Sequence, residues 1–137
     1  MIKIIAGLKG TGKTKILVDM VNEATAVEKG YIICIENHNK LTYDINYRAR
    51  LIHAVQYNVN SFQKFYGFIS GIVASNYDVS SIFIDSIYKI CGHDPDGFVC
   101  FLNEIENLLK SSDSSFRVVI TVSEEIELLP ESVKKYL

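Results

Sequence analysis

Between Ile2 and Ala24 the chain reads first as the β-branched run Ile-Lys-Ile-Ile-Ala, then as Gly-Leu-Lys-Gly-Thr-Gly-Lys-Thr, then as a segment placing Leu17, Met20, Val21 and Ala24 at helical spacing. A strand must therefore turn into a helix through a backbone stripped of side chains at Gly7, Gly10 and Gly12. Residues Gly7 to Thr14 satisfy the pattern G-x-x-x-x-G-K-[ST], with the strand before it and the helix after it that the motif requires. The glycines let successive N–H groups face one anion, and the helix N-terminus adds its partial positive charge. Gly7, Leu8, Lys9, Gly10, Thr11, Gly12, Lys13 and Thr14 are thus expected to cradle the phosphates of a nucleoside triphosphate. Lys13 would reach the β and γ phosphates, and the Thr14 hydroxyl would take one position on Mg2+.

The rest of the chain repeats the alternation of strand and helix. Tyr31 to Ile35 is a continuous apolar run, Arg50 to Gln56 is a weaker strand candidate, and Ser81 to Asp85 and Arg117 to Val122 are the next two strands. Ser61 can cap a helix carrying Phe62, Phe65, Tyr66, Ile69, Ile72 and Val73 on one face, with Gly67 and Gly71 permitting close approach to a sheet. Asp94-Pro95 opens a second helix through Phe98, Phe101, Leu102, Ile105, Leu108 and Leu109, closed by a Ser/Asp loop at about 111–115. Pro130 to Tyr136 forms a short terminal helix. The expectation is a three-layer α/β/α fold of the P-loop NTPase kind, with a mostly parallel five-stranded sheet in one domain, residues 1–137. Leu41 to Ala49 alternates Leu41, Tyr43, Ile45 and Tyr47 with polar residues, which suits a β-excursion with an aromatic face or a half-buried hairpin arm.

Composition narrows the partners. The formal charge is -2 with acids and bases interspersed, so the basic stripe of a general nucleic-acid binder is not indicated. No apolar run reaches the roughly 18 to 20 residues of a membrane span. Cys34, Cys91 and Cys100 are odd in number and without tight pairing, which reads as thiols in a reducing compartment and leads to the expectation of a cytoplasmic protein. Cys91, His93 and Cys100 lack the paired C-x2-C spacing of a structural zinc site, and His38 and His53 stand in no recognisable nucleophile arrangement.

A magnesium-bound triphosphate needs an acidic anchor at the end of a neighbouring buried strand. Asp85, closing Ser-Ile-Phe-Ile-Asp, is that candidate for Mg2+, although the same pattern can simply cap a turn. Many P-loop ATPases place a glutamate directly after that aspartate, and here the residue is Ser86. Glu36 instead ends the strand Tyr-Ile-Ile-Cys-Ile-Glu, where it can orient water toward the γ-phosphate or cap the following Asn-His-Asn-Lys.

In this ordered set the chain resembles the core of the RecA-like ATPases, the group of RecA recombinase, the KaiC clock ATPase and DnaB-type helicases. The resemblance implies phosphate binding at Gly7 to Thr14, magnesium at Thr14 and Asp85, and water activation by Glu36. It implies a polar γ-phosphate sensor at Thr121 or Ser123 and a strand order 3-2-4-5-1, counting strands along the chain. An arginine finger, which this group inserts into a neighbour's site, has Arg48 or Arg50 as its best counterpart, the alternative being an exposed charge. Leu8 stands where the ParA-like dimeric ATPases carry a second loop lysine, so that subfamily is disfavoured. Only a short stretch follows the sensor strand, which speaks against recombinase or helicase work.

The functional expectation is a magnesium-dependent ATPase that couples ATP binding or hydrolysis to a conformational or assembly change, as a homo-oligomer or with a protein partner. The alternatives are a nucleotide-binding switch with little turnover and a small nucleoside or metabolite kinase. The kinase is disfavoured by the lack of an arginine-rich substrate lid.

Overall fold

The structure is a computed structural model that describes residues 1–111 and 115–137. Five strands, β1 (Ile2–Gly7), β2 (Tyr31–Glu36), β3 (Ala49–His53), β4 (Val79–Ile84) and β5 (Arg117–Ser123), form one sheet. Their order is β1-β5-β4-β2-β3, which taken from the other edge is β3-β2-β4-β5-β1, and every neighbouring pair is parallel. Parallel strands need crossovers: α1 (Lys13–Val27), α2 (Phe62–Ser75) and the pair α3 (Ile87–Cys91) and α4 (Pro95–Ser111) supply three of them, turns over 37–48 join β2 to β3, and α5 (Glu131–Lys134) follows β5.

The two faces of the sheet differ in their cover. One face buries Ile4, Ile33, Ile35, Ile82, Ile84, Val118 and Ile120 against α2 to α5. There Phe65 stacks on Phe101 and Phe62 on Phe98, each pair with ring centroids 5.5 Å apart, locking α2 to α4. The other face packs Ile32, Cys34, Phe83 and Val119 under Leu17, Val21 and Ala24 of α1, with Leu41 and Ile45 extending the cover. Burying side chains of this size contributes roughly 1.5 to 3 kcal/mol each, so both faces are well secured. No helix among the described residues is long and apolar enough to cross a membrane.

The helix caps follow the sequence. Ser61 accepts from the Lys64 N–H at 3.2 Å, and Asp94 Oδ1 accepts from the Gly97 N–H at 3.0 Å. At the β1 edge, the Ile4 N–H donates to the Tyr136 carbonyl at 2.8 Å, so the last residues cover the strand.

Four expectations are corrected. Leu41 to Arg48 forms consecutive turns instead of a β-excursion or hairpin arm. Leu41 and Ile45, four apart, face α1, while Tyr43 and Tyr47 are 99% and 93% exposed, so the inward period is four residues and not two. Asn22 of α1 holds this segment, donating to the Asp44 carbonyl at 2.9 Å and accepting from the Asn46 N–H at 2.8 Å. The third strand is Ala49–His53, because Ala54–Tyr57 winds into a 3-10 turn ending at Asn58 in the left-handed region. Gly67 and Gly71 lie on the solvent side of α2, where an added Cβ would meet nothing within 4 Å, so neither serves close packing. The terminal helix spans only Glu131–Lys134. The Ser/Asp loop expected at 111–115 falls largely on 112–114, outside the described residues.

Candidate functional site

Strand register brings distant residues into one row. Ile5 lies opposite Thr121, Ile84 lies between Ile120 and Ile35, and Glu36 lies opposite His53. Asp85, one residue past Ile84, therefore comes level with Thr121 and Glu36 at the carboxyl edge of the sheet. Gly7 and Ser123 are paired two residues further along, where the Glu124 N–H donates to the Gly7 carbonyl at 3.1 Å.

The turn into α1 takes its shape from Gly10 and Gly12, with φ of 84° and 86°, a conformation that a side chain disfavours. Lys13, only 7% exposed, donates through Nζ to the Leu8 carbonyl at 2.7 Å and lies 3.5 Å from Thr11 Oγ1. Thr11 Oγ1 donates to the same carbonyl at 2.7 Å, which closes the loop on itself. Burial lowers the Lys13 pKa, Asp85 opposes that shift, and Lys89 adds to it. A half-desolvated ammonium at a helix N-terminus is electrostatically suited to an anion.

Thr14 and Asp85, 71 positions apart, meet here. The Thr14 hydroxyl donates to the Asp85 carboxylate, with Oδ1 at 3.1 Å and Oδ2 at 3.3 Å. Thr121 lies beneath them, 1% exposed, donating to Asp85 Oδ1 at 2.8 Å and accepting from the Ser86 N–H at 2.7 Å. Its single proton is spent on Asp85, which makes Thr121 a strut under the carboxylate. Ser123 is exposed and lines the loop cavity, so of the two sensor candidates it is the one open to a ligand.

Glu36 is buried, 4% exposed, and turned toward its own loop. Oε1 accepts from the Lys40 N–H at 3.0 Å, Oε2 accepts from the Leu41 N–H at 3.1 Å, and His53 Nδ1 stands 3.4 Å from Oε2. Burial raises its pKa above the usual carboxylate value, against the lowering by those two N–H groups and His53, while Asp85 adds to the rise. His53 Nδ1 also contacts the His38 carbonyl, so both histidines belong to the support of this turn.

Two cavities open at the edge. One of about 400 Å³ is lined by Lys9, Gly10, Gly12, Lys13, Thr14, Lys15, Ser86, Lys89 and Ser123. Its neighbour, about 340 Å³, is lined by Glu36, Asn37, His38, Lys40, Asp85, Ser86 and Lys89. Lys89 escaped sequence reasoning because α3 is one short turn with no periodic signal. It follows Ser86, whose φ of 55° swings the chain back over the loop.

The arginines lie elsewhere. Arg48 and Arg50 flank Ala49 at the amino end of β3 and are exposed, opposite the edge that carries the glycine-rich loop. Arg117, at the amino end of β5, donates to Glu28 Oε2 and Ser81 Oγ, both at 2.9 Å, and lies over the Phe83 ring. None of the three reaches the chain's own loop. His93 pairs with Glu124 at 2.8 Å and Cys91 is buried in the core, so the two do not face a common centre with Cys100.

The donors at Thr14 and Asp85 are a hydroxyl and a carboxylate, hard oxygens that suit Mg2+, an ion that keeps most of its shell for water and phosphate. The described residues contain no group of three or more His, Cys, Asp or Glu arranged to hold a metal, as a softer or fully protein-caged ion would need. No protein-family model and no curated protein matches this chain, so the chemistry of the site is what points to a function.

Proposed function

We propose that this chain is a P-loop nucleoside triphosphatase of RecA-like build that binds ATP with Mg2+ at Gly7 to Thr14 and couples binding or hydrolysis to a conformational or assembly change. One observation carries the reading: the hydroxyl of the residue after Lys13 is hydrogen-bonded to the carboxylate ending a strand two places away in the sheet. An ordinary glycine-rich turn has no need of that partnership, whereas a shared magnesium position does. In this reading Lys13 and the loop N–H groups bind phosphates, Thr14 and Asp85 hold Mg2+, and Thr121 fixes the carboxylate. When bound, the ion supplies charge neutralisation between the β and γ phosphates.

The test is titration of the purified chain with a slowly hydrolysed ATP analogue, with and without Mg2+. Magnesium-dependent binding is expected, with Lys13→Ala abolishing it and Asp85→Asn removing its magnesium dependence. Equal binding by wild type and Lys13→Ala would overturn the proposal.

A second reading, a nucleotide switch with slow turnover, is favoured by the engagement of both Glu36 oxygens with backbone N–H groups. A carboxylate so engaged has less capacity left to orient water. Steady turnover by the isolated chain that Glu36→Gln abolishes would exclude the switch. Negligible turnover in the presence of tight binding would exclude the ATPase.

A further inference from the structure

Ser86 and Lys89 are the two residues common to both cavities. Lys89 is exposed, and its ammonium has no hydrogen-bond or ion-pair partner among the described residues. The backbone that carries it is nevertheless fixed. Ser86 holds a left-handed conformation that only its surroundings can maintain: its N–H donates to Thr121, and its carbonyl accepts from the Lys89 N–H at 2.9 Å. Ile87 and Ile90 on the same turn are buried in the core, and Tyr88 packs edge-on against Phe62 and Phe98. A rigid, strained turn thus presents one cation at the boundary between the loop cavity and the cavity that contains Glu36.

Resting on the nucleotide reading above, we propose that Lys89 is the γ-phosphate-sensing cation of this site, supplied in cis. The boundary position is the one that fits. A diphosphate bound along the loop ends among Gly10 to Thr14, and a third phosphate extends past them toward Asp85 and Ser86, where Lys89 stands. Arg48, Arg50 and Arg117 sit at the opposite ends of their strands, so within one chain no arginine competes for this role. It follows that response to the γ-phosphate does not require a neighbour's finger.

The test compares dissociation constants for ADP and for a slowly hydrolysed ATP analogue, both with Mg2+, in wild type, Lys89→Ala and Lys89→Arg. Lys89 is exposed, so both variants are expected to fold, and urea unfolding verifies this. Wild type should prefer the triphosphate, and Lys89→Ala should lose about tenfold of that preference with ADP binding unchanged, as for loss of a charged hydrogen bond. Lys89→Arg should retain most of it, and wild-type preference should be independent of protein concentration. An unchanged preference in Lys89→Ala, an equal loss for both nucleotides, or a preference that appears only on assembly would each overturn the inference while leaving nucleotide binding intact. A wild-type chain that binds neither nucleotide would overturn the nucleotide reading and this inference with it.

Discussion

Replacing Thr121 by valine keeps the shape of the side chain and removes one oxygen, which makes it a direct measure of the strut beneath Asp85. Two hydrogen bonds disappear. The Ser86 N–H, now donating at 2.7 Å, loses its acceptor, and Asp85 Oδ1 loses a donor at 2.8 Å. Leaving a buried donor unsatisfied costs about 1 to 3 kcal/mol, and a hydrogen bond to a charged group contributes about 1.5 to 3 kcal/mol. Relaxation of the neighbours recovers part of this, so the expected loss is about 3 kcal/mol, or roughly 10 °C in Tm for a domain of this size. Urea unfolding at neutral pH measures it, with Thr121→Ser as the control that restores the hydroxyl. Because the same N–H holds Ser86 in its strained conformation, amide exchange over residues 86–91 should quicken in Thr121→Val and not in Thr121→Ser. A Thr121→Val protein within about 0.5 kcal/mol of wild type, the range of an ordinary surface change, would refute the strut. Ser123→Ala, in contrast, removes an exposed hydroxyl and should leave stability unaltered, and on the proposed nucleotide reading it should weaken triphosphate binding.

Glu36→Gln should destabilise the chain by about 1 to 3 kcal/mol in urea unfolding even without nucleotide, because an amide nitrogen cannot accept from the Lys40 or Leu41 N–H. Glu28 responds to pH. Burial alone would raise its pKa, but hydrogen bonds from Ser81 and Ser80 and the Arg117 charge outweigh that and hold it below its ordinary 4.5. With the folded value depressed, its contribution is fully present above the unfolded pKa and is lost as pH falls through the folded one. Acid titration of stability should therefore be shallower in Glu28→Gln than in wild type below about pH 4.5, the ordinary value from which it is displaced. Asn22→Ala frees the 41–48 turns and should cost about 1 kcal/mol, with faster amide exchange confined to that segment.

The central strands β2, β4 and β5 were legible because they are buried on both faces and read as apolar runs, whereas β3, at an edge and carrying the exposed Arg50, was the weaker signal. Tyr31 to Ile35 and Ile82 to Ile84 have no periodic alternative of comparable strength. Helices α2 and α4 announced themselves through both cap and stripe, Ser61 and Asp94 at their starts and phenylalanines at helical spacing behind them. The 41–48 segment was misleading for a physical reason. Four apolar residues two apart satisfy a strand pattern, but the two that pack inward, the buried Leu41 and the half-buried Ile45, are four apart, and the tertiary anchor that decides this, Asn22, lies on another element.

The site shows the same division between local and distant information. That Thr14 and Asp85 lie at one edge of the sheet was legible, because a strand-to-helix turn and the carboxyl end of a neighbouring parallel strand open on the same side. The orientation of Glu36 was not, since a carboxylate at the end of β2 can face the crevice or turn back on the N–H groups four and five residues later without any change in sequence. The observed choice follows from Leu41. Its side chain is buried under the α1 layer, which draws its backbone N–H down beside Glu36 and gives the carboxylate a nearer partner than the crevice offers. Releasing Glu36 toward a phosphate would therefore require the 37–41 turn to move, and that turn also roofs the cavity next to Lys89. If hydrolysis is the function, Glu36→Gln should abolish turnover while the 37–41 turn, deprived of one acceptor oxygen, exchanges its amides faster. If switching is the function, the turn stays closed on Glu36 and the γ-phosphate is read at Lys89 without it.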